Sequence, residues 1–146
     1  MPQPITRILD LIANASPTIA VLGAGSGWRL GVGRLLDIPD TQIVLYDSVG
    51  QLPNPKWLLD YPWVQVMVRG EENGYNNAAQ KAQDVADLLL GHPPVSYIEG
   101  DRIDGITIVG TPSFIGNDQK NRPCISGNFR LIYEPVASTY SNRQPL

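Results

Sequence analysis

WVQVMVRGEENGYNNAAQKAQDVADLLLG, residues 63–91, holds two different periods in one stretch. In its first eight residues Val64, Val66 and Val68 alternate with Gln65, Met67 and Arg69, the two-residue repeat of a strand with two unlike faces. From Tyr75 the repeat lengthens. Tyr75, Ala78, Ala79, Ala82, Val85, Ala86 and Leu89 follow a helical period over about four turns, with Gln80, Lys81, Gln83, Asp84 and Asp87 mostly opposite. Gly91 and Pro93 then supply a stop. The apolar stripe is rich in alanine, so this helix is expected to lie close against a sheet.

Upstream, Ile5, Ile8, Leu9 and Ile12 recur at helical spacing behind Pro4, a residue suited to a helix's first turn because no N–H is lost there. This helix is expected to end near Ala15 or Ser16, before Pro17. Residues 18–33, TIAVLGAGSGWRLGVG, begin like a buried strand and continue as a turn and loop with five glycines. QIVLYD (42–47) is a short β-rich run. A connection holding Pro53, Pro55 and Pro62 follows, and its prolines deny it regular pairing. Downstream, GITIVGTPSF (105–114) and CISGNFRLIY (124–133) read as an antiparallel hairpin joined by IGNDQKNRP. The order of helix, strands, helix and hairpin implies an α+β domain over 1–134, a single mostly antiparallel β-sheet with two helices packed on one face. The polar, proline-bearing 135–146 is expected to be a mobile tail that orders only against a partner.

Composition narrows the function. The 146 residues leave room for one domain, and 17% charged residues is well below the roughly 25% of ordinary soluble domains. Fourteen glycines and 13 prolines imply much loop. A net charge of -3, with 11 basic residues scattered along the chain, is not the footprint of a dedicated DNA binder. One cysteine, Cys124, excludes an intrachain disulfide framework, and one histidine, His92, leaves no second imidazole for a metal cluster. No apolar run reaches the roughly 18 residues of a membrane span, and MPQPITRILD lacks the order of a signal peptide. The expectation is a soluble intracellular product without a cofactor.

Several residues mimic an active site. AVLGAGSGW brings Gly23, Gly25 and Gly27 behind a strand, and Asp47 ends a second strand, as in nucleotide or S-adenosylmethionine sites. The dinucleotide fingerprint, however, needs a third glycine where Trp28 stands, and the helix that must follow is interrupted by two glycines and a proline. Ser26 has only His92 as a base and no acidic orienter, and His92 itself reads as a residue just past a helix end. Glu71 and Glu72 look like a solvated pair near a helix start. Glu99, Asp101 and Asp104 lie in a turn-rich approach to the hairpin and match no cation-loop spacing. Cys124 reads as a small packed residue. No coherent catalytic constellation emerges.

The long connection SVGQLPNPKWLLDYPW (48–63) is different, because Leu52, Trp57, Leu58, Leu59, Tyr61 and Trp63 need something to cover them. They either fold back as a lid on their own sheet or pack against another subunit.

The succession GRLLDIPDTQIVLYDSVGQLP, LDYPWVQVMVRG, GYNNAAQKAQDVADLLLG and GTPSFIGNDQKNRPCISGNFRLIY resembles the tail-terminator or minor capsid family of long-tailed bacteriophages over roughly residues 28–134. The likeness rests on Tyr46, Asp47 and Gly50 after the second strand. It rests equally on Tyr61, Pro62, Val64, Gln65, Val66, Val68, Arg69 and Gly70, and on Pro112, Phe114, Gly116 and Asp118 leading to Asn128 and Phe129. The glycine-rich GAGSG is a departure from the family's plainer pattern. The resemblance implies a structural virion protein, assembled in the host bacterial cytoplasm, that forms a homohexameric ring on the head-proximal end of the tail tube. Its implied partners are copies of itself, the tail tube protein and a head-tail connector or neck protein, with genomic DNA only passing through the lumen and no membrane. Leu52, Trp57, Leu58, Tyr61, Asp118, Arg122 and Tyr140 are the candidate interface residues. A neck or head-completion protein of the same column is the nearer rival, and a small nucleotide- or S-adenosylmethionine-binding enzyme built on GAGSG the remoter one.

Overall fold

The computed structural model describes residues 4–13, 28–48, 60–91, 96–98 and 101–134. In chain order these form α1 (Pro4–Ala13), β1 (Arg29–Val32), β2 (Gln42–Ser48), β3 (Trp63–Arg69), α2 (Tyr75–Leu90), β4 (Ser96–Ile98), β5 (Asp101–Asn117) and β6 (Pro123–Glu134). The six strands make one sheet in the order β1-β2-β3-β6-β5-β4. β1 runs parallel to β2, and the other neighbours are antiparallel. The fold is α+β, with a mostly antiparallel sheet.

Register explains why one face is buried. Ile43 stands opposite Val68, which stands opposite Ile125, and Leu45 opposite Val66. Val64 meets Phe129, and Leu131 and Tyr133 meet Ile106 and Ile103. Partners across a ladder share a face, so all of these side chains point the same way. They form a single buried cluster with Ile5, Ile8 and Ile12 of α1 and Ala78, Ala82, Val85, Ala86 and Leu89 of α2. Both helices therefore lie on one face of the sheet.

Small residues bring α2 near. A β-carbon on Gly70 would stand 2.9 Å from Ala78 Cβ and 3.0 Å from the Gly74 carbonyl oxygen, so only glycine lets the strand turn into the helix here. Gly91 ends the helix as expected, yet keeps φ at -80°, and its N–H still donates to Asp87 O at 2.9 Å. It terminates the helix without entering the left-handed region. Two members of the expected α2 pattern behave differently. Tyr75 is exposed and meets Phe114 edge-on at 5.5 Å between ring centroids, while Lys81, read as solvent-facing, is buried with Nζ 5.1 Å from the centre of the Trp28 ring. Helical periodicity gives an angle around the axis, whereas burial depends on which neighbours reach that angle.

Other departures concern strands. Residues 29–32 lie in the stretch read as running into turn and loop, and they form β1 instead, with Gly33 at φ 77° directly after it. The approach to the hairpin, read as turn-rich, already belongs to β5 from Asp101 and pairs with β4. Prolines were expected to keep the connection before β3 from regular pairing, but its last residues do pair. Asp60 and Tyr133 exchange backbone hydrogen bonds of 2.8 and 2.9 Å, and Leu131 N donates to Pro62 O at 2.9 Å. Proline offers a carbonyl to a ladder even though it lacks a donor. The expected strand at 18–22, the glycines of GAGSG, most of the 48–62 connection, His92, Glu99 and the tail 135–146 lie outside the described residues.

Candidate functional site

The face opposite the helices begins at one end with a row of polar side chains. Gln42, Arg69 and Cys124 are register partners across β2, β3 and β6. Gln42 and Arg69 are buried because residues 36–40 fold over them. Gln42 donates from Nε2 to the carbonyls of Leu36 and Pro39, each at 2.6 Å, and its Oε1 accepts from Leu36 N at 3.0 Å and Arg29 Nη1 at 3.0 Å. Arg69 donates to Leu36 O at 2.6 Å, Pro39 O at 2.8 Å and Asp40 O at 2.9 Å. The segment, with Pro39 at its centre, is thus held by side chains, which satisfy carbonyls the sheet cannot reach. Burial lowers the Arg69 pKa, and the nearby Arg122 charge lowers it further.

Arg122, at the end of the β5–β6 turn, ties the same segment from a second side. Its side chain is 6% exposed. The guanidinium donates to Asp118 Oδ2 at 2.8 Å, to Asp40 Oδ1 at 3.0 Å and to the Asp37 carbonyl at 2.8 Å. Lys120 reaches across to both Asp37 carboxylate oxygens at 2.7 and 2.8 Å. Asp118 Oδ1 also accepts the backbone N–H groups of Lys120 and Arg122 at 3.0 and 2.9 Å, which shapes the turn, and Asn121 completes it at φ 57°. Burial works to raise the Asp118 pKa, but the Arg122 and Lys120 hydrogen bonds outweigh it and the carboxyl is held below its usual range. Asp37 is lowered chiefly by the Lys120 hydrogen bond and charge. Burial likewise opposes the Arg122 charge, and Asp40 and Asp118 overcome it, so its pKa rises. The cluster is a clamp, and at the tip of the clamped segment Ile38 stands 78% exposed before a cis bond to Pro39.

Beside the clamp the hairpin carries apolar side chains into solvent. Tyr75, Phe114 and Ile115 are 50, 47 and 55% exposed, and Val109 is exposed further along β5. Asn73, Tyr75, Phe114, Asn117, Asn121 and Pro123 line an open cavity of about 410 Å³ between the α2 start and the turn. Ladder shifts fall between Ile103 and Gly105, Ile108 and Gly110, Gly110 and Ser113, and Phe114 and Gly116. These irregularities, with Gly116 at φ 118°, break the two-residue alternation and turn Phe114 and Ile115 outward together. Large apolar groups are thus exposed together at one end of the described sheet.

Of the expected interface residues, the structure brings Asp118 and Arg122 into direct contact inside the clamp. Tyr61 is half-buried just before β3, at the opposite end of the sheet. Leu52, Trp57, Leu58 and Tyr140 lie outside the described residues. The sequence marks Arg69 only as part of a strand motif and gives no sign of Gln42, Asp37 and Asp40, whose roles come from contacts between distant segments. Nor does it mark Ile38, or Val109 and Ile115, for which the one available signal is an adjacent apolar residue (Ile108, Phe114) in a stretch that should alternate. Among the described residues no three His, Cys, Asp or Glu side chains gather to hold a metal ion, and no helix is long and apolar enough to cross a membrane. Burial raises the Cys124 thiol pKa, and the Asp118 charge adds to it, so this thiol is not activated.

A family profile described as "Bacteriophage tail terminator protein" matches residues 19–135. Among solved structures, a chain of the "Virion of native gene transfer agent (GTA) particle" is 14% identical, covers 90% of this chain and 94% of its own, and superposes with a TM-score of 0.70. A second solved chain, also 14% identical, covers 89% of this chain and 91% of its own at a TM-score of 0.46. At such identity the first likeness establishes a shared fold. No curated protein sequence matches the chain.

Proposed function

The chain belongs to the bacteriophage tail terminator family, and from that premise we propose that it assembles as a six-membered ring on the head-proximal end of a tail tube. The ring stops the tube and presents a surface to the connector or neck on the head side, while genomic DNA passes through its lumen. The single observation that supports this reading beyond the family match is the exposed apolar end of the molecule, Ile38, Tyr75, Phe114 and Ile115 around the Arg122 clamp. A monomer working alone gains nothing from such a surface, and a ring stacked between two other components needs one. The clamp supplies rigidity, because a segment tied by Gln42, Arg69 and Arg122 loses little freedom on docking. The protein acts by contact, as a structural component of the virion, after assembly in the host cell.

The test is light scattering of the full chain across a concentration series, with negative-stain images of the same samples and a second series containing bare tail tubes. Six-fold rings, or particles seated on tube ends, are the expected result. A protein that stays monomeric and leaves tube ends bare, but binds a purified neck component, would move the assignment to the neck.

A further inference from the structure

At the other end of the open sheet face four residues line up across four strands. Ser48 pairs with Trp63, Trp63 with Arg130, and Arg130 with Thr107, so their side chains project from the same side about 5 Å apart per strand. The row holds a hydroxyl, an indole N–H, a guanidinium and a second hydroxyl, with no acid among them. Trp63 Nε1 and Arg130 Nε are shielded from solvent and have no hydrogen-bond partner. Buried donors are almost always paired, so two orphans side by side, one on a cation, mark an absent acceptor. Arg34 is exposed to solvent, and the remaining described arginines are satisfied. Arg7 pairs with Asp10, Arg102 with Asp104 and Glu134, and Arg122 with three aspartates, whereas Arg29 and Arg69 bond to carbonyl and amide oxygens. Glu134, four residues along the same face of β6, is opposite Arg102 in register and 3.7 Å from its Nε, and its Oε2 is likewise shielded with no hydrogen-bond partner.

We propose that Ser48, Trp63, Arg130 and Thr107 form a receptor for a carboxylate side chain of a neighbouring copy of this chain. A planar guanidinium grips a carboxylate through two parallel hydrogen bonds, and an adjacent indole N–H adds a third donor. The chain has a surplus of acids, 14 against 11 basic residues, and exposed Asp47, Glu71 and Glu72 have no ion-pair partner among the described residues. DNA is the poorer occupant, because Arg69 lies buried and Arg102 is paired, so Arg130 is the single cation of this row, and duplex binding draws on many. Side-chain rotation on docking, common at interfaces, brings the shielded Nε atoms to the incoming oxygens. The proposal rests on the ring reading above and names one of its subunit contacts.

The experiment measures self-association of the full chain by sedimentation velocity for the wild type, Arg130→Glu, Arg130→Gln and Trp63→Phe, with circular dichroism melts of each. The proposal expects native-like melts, at least a tenfold rise in the concentration needed for rings in Arg130→Glu, and smaller rises in the other two. Asp47→Lys, Glu71→Lys and Glu72→Lys are then each combined with Arg130→Glu, and one of them should restore rings. Wild-type rings matched by equally stable rings of Arg130→Glu and Trp63→Phe would overturn this contact while leaving the ring reading intact. A wild type that never self-associates, alone or with tubes, would overturn both. If Arg130→Glu does not fold, Arg130→Gln and Trp63→Phe decide the matter. Salt-sensitive binding of a short DNA duplex that Arg130→Glu abolishes, with rings unchanged, would reassign the site to phosphate.

Discussion

Asp118 receives two backbone N–H groups and the Arg122 guanidinium, and Asp37 receives Lys120 and Arg122, so both carboxyls are acidified by folding. A carboxyl whose folded pKa lies below its unfolded one stabilises the fold above the unfolded value. That stabilisation is lost as pH falls through the folded value. The melting temperature should therefore drop on acidification below about pH 4, the ordinary aspartate range. Asp118→Asn should lower it at pH 7 and flatten the acid slope, and thermal melts from pH 7 to pH 2 check both. Arg122→Met should cost roughly 2–3 kcal/mol in urea unfolding, below the range for fully buried pairs because its aspartate partners remain partly hydrated. None of these partnerships could be read along the chain, since Arg122 and Asp37 are 85 positions apart and an aspartate in a turn-like stretch looks the same whether or not it is paired.

The β3–α2 unit was readable almost in full, because both of its periods are local: every second residue in Trp63–Arg69 and every third or fourth in Tyr75–Leu90 face one core. Its weakest point is the corner at Gly70. Gly70→Ala should destabilise by about 1–3 kcal/mol, since the new methyl group would press on Ala78 and the Gly74 carbonyl, and neither can move without shifting the helix. Equilibrium urea unfolding measures this. The β5–β6 hairpin was also expected, but its outward apolar surface was not, because strand bulges are set by the pairing of two strands and leave little mark in either one. Phe114→Ala should cost at most about 1 kcal/mol of stability, the worth of an exposed edge-on aromatic pair, yet reduce ring formation or tube capping strongly. Comparing urea midpoints with negative-stain counts of capped tubes separates the two effects.

At the level of the whole molecule, one face of a six-stranded sheet is spent on two helices and the other on polar rows, a clamped segment and candidate contacts. In the proposed ring, a chain of 146 residues that meets a neighbour on two sides and a partner above and below keeps little surface without a role. Residues 135–146 are proposed as a further contact, on the grounds of their polar, proline-bearing composition. Deleting them should leave the melting temperature within a degree or two and weaken assembly. A truncated protein that completes tails at the normal rate would remove them from the interface.

Membership of the tail terminator family, the α+β class, the α2 core stripe and the strand that precedes it follow from the amino-acid order, because they depend on local period and on motifs in succession. The parallel placement of β1, the burial of Gln42 and Arg69 beneath residues 36–40, the exposure of Tyr75 and the unpaired donors of Trp63 and Arg130 depend on which distant segments come together. Periodicity specifies which way a side chain points from its own element. What lies in that direction is a property of the folded chain, and hydrogen bonding and burial are settled there.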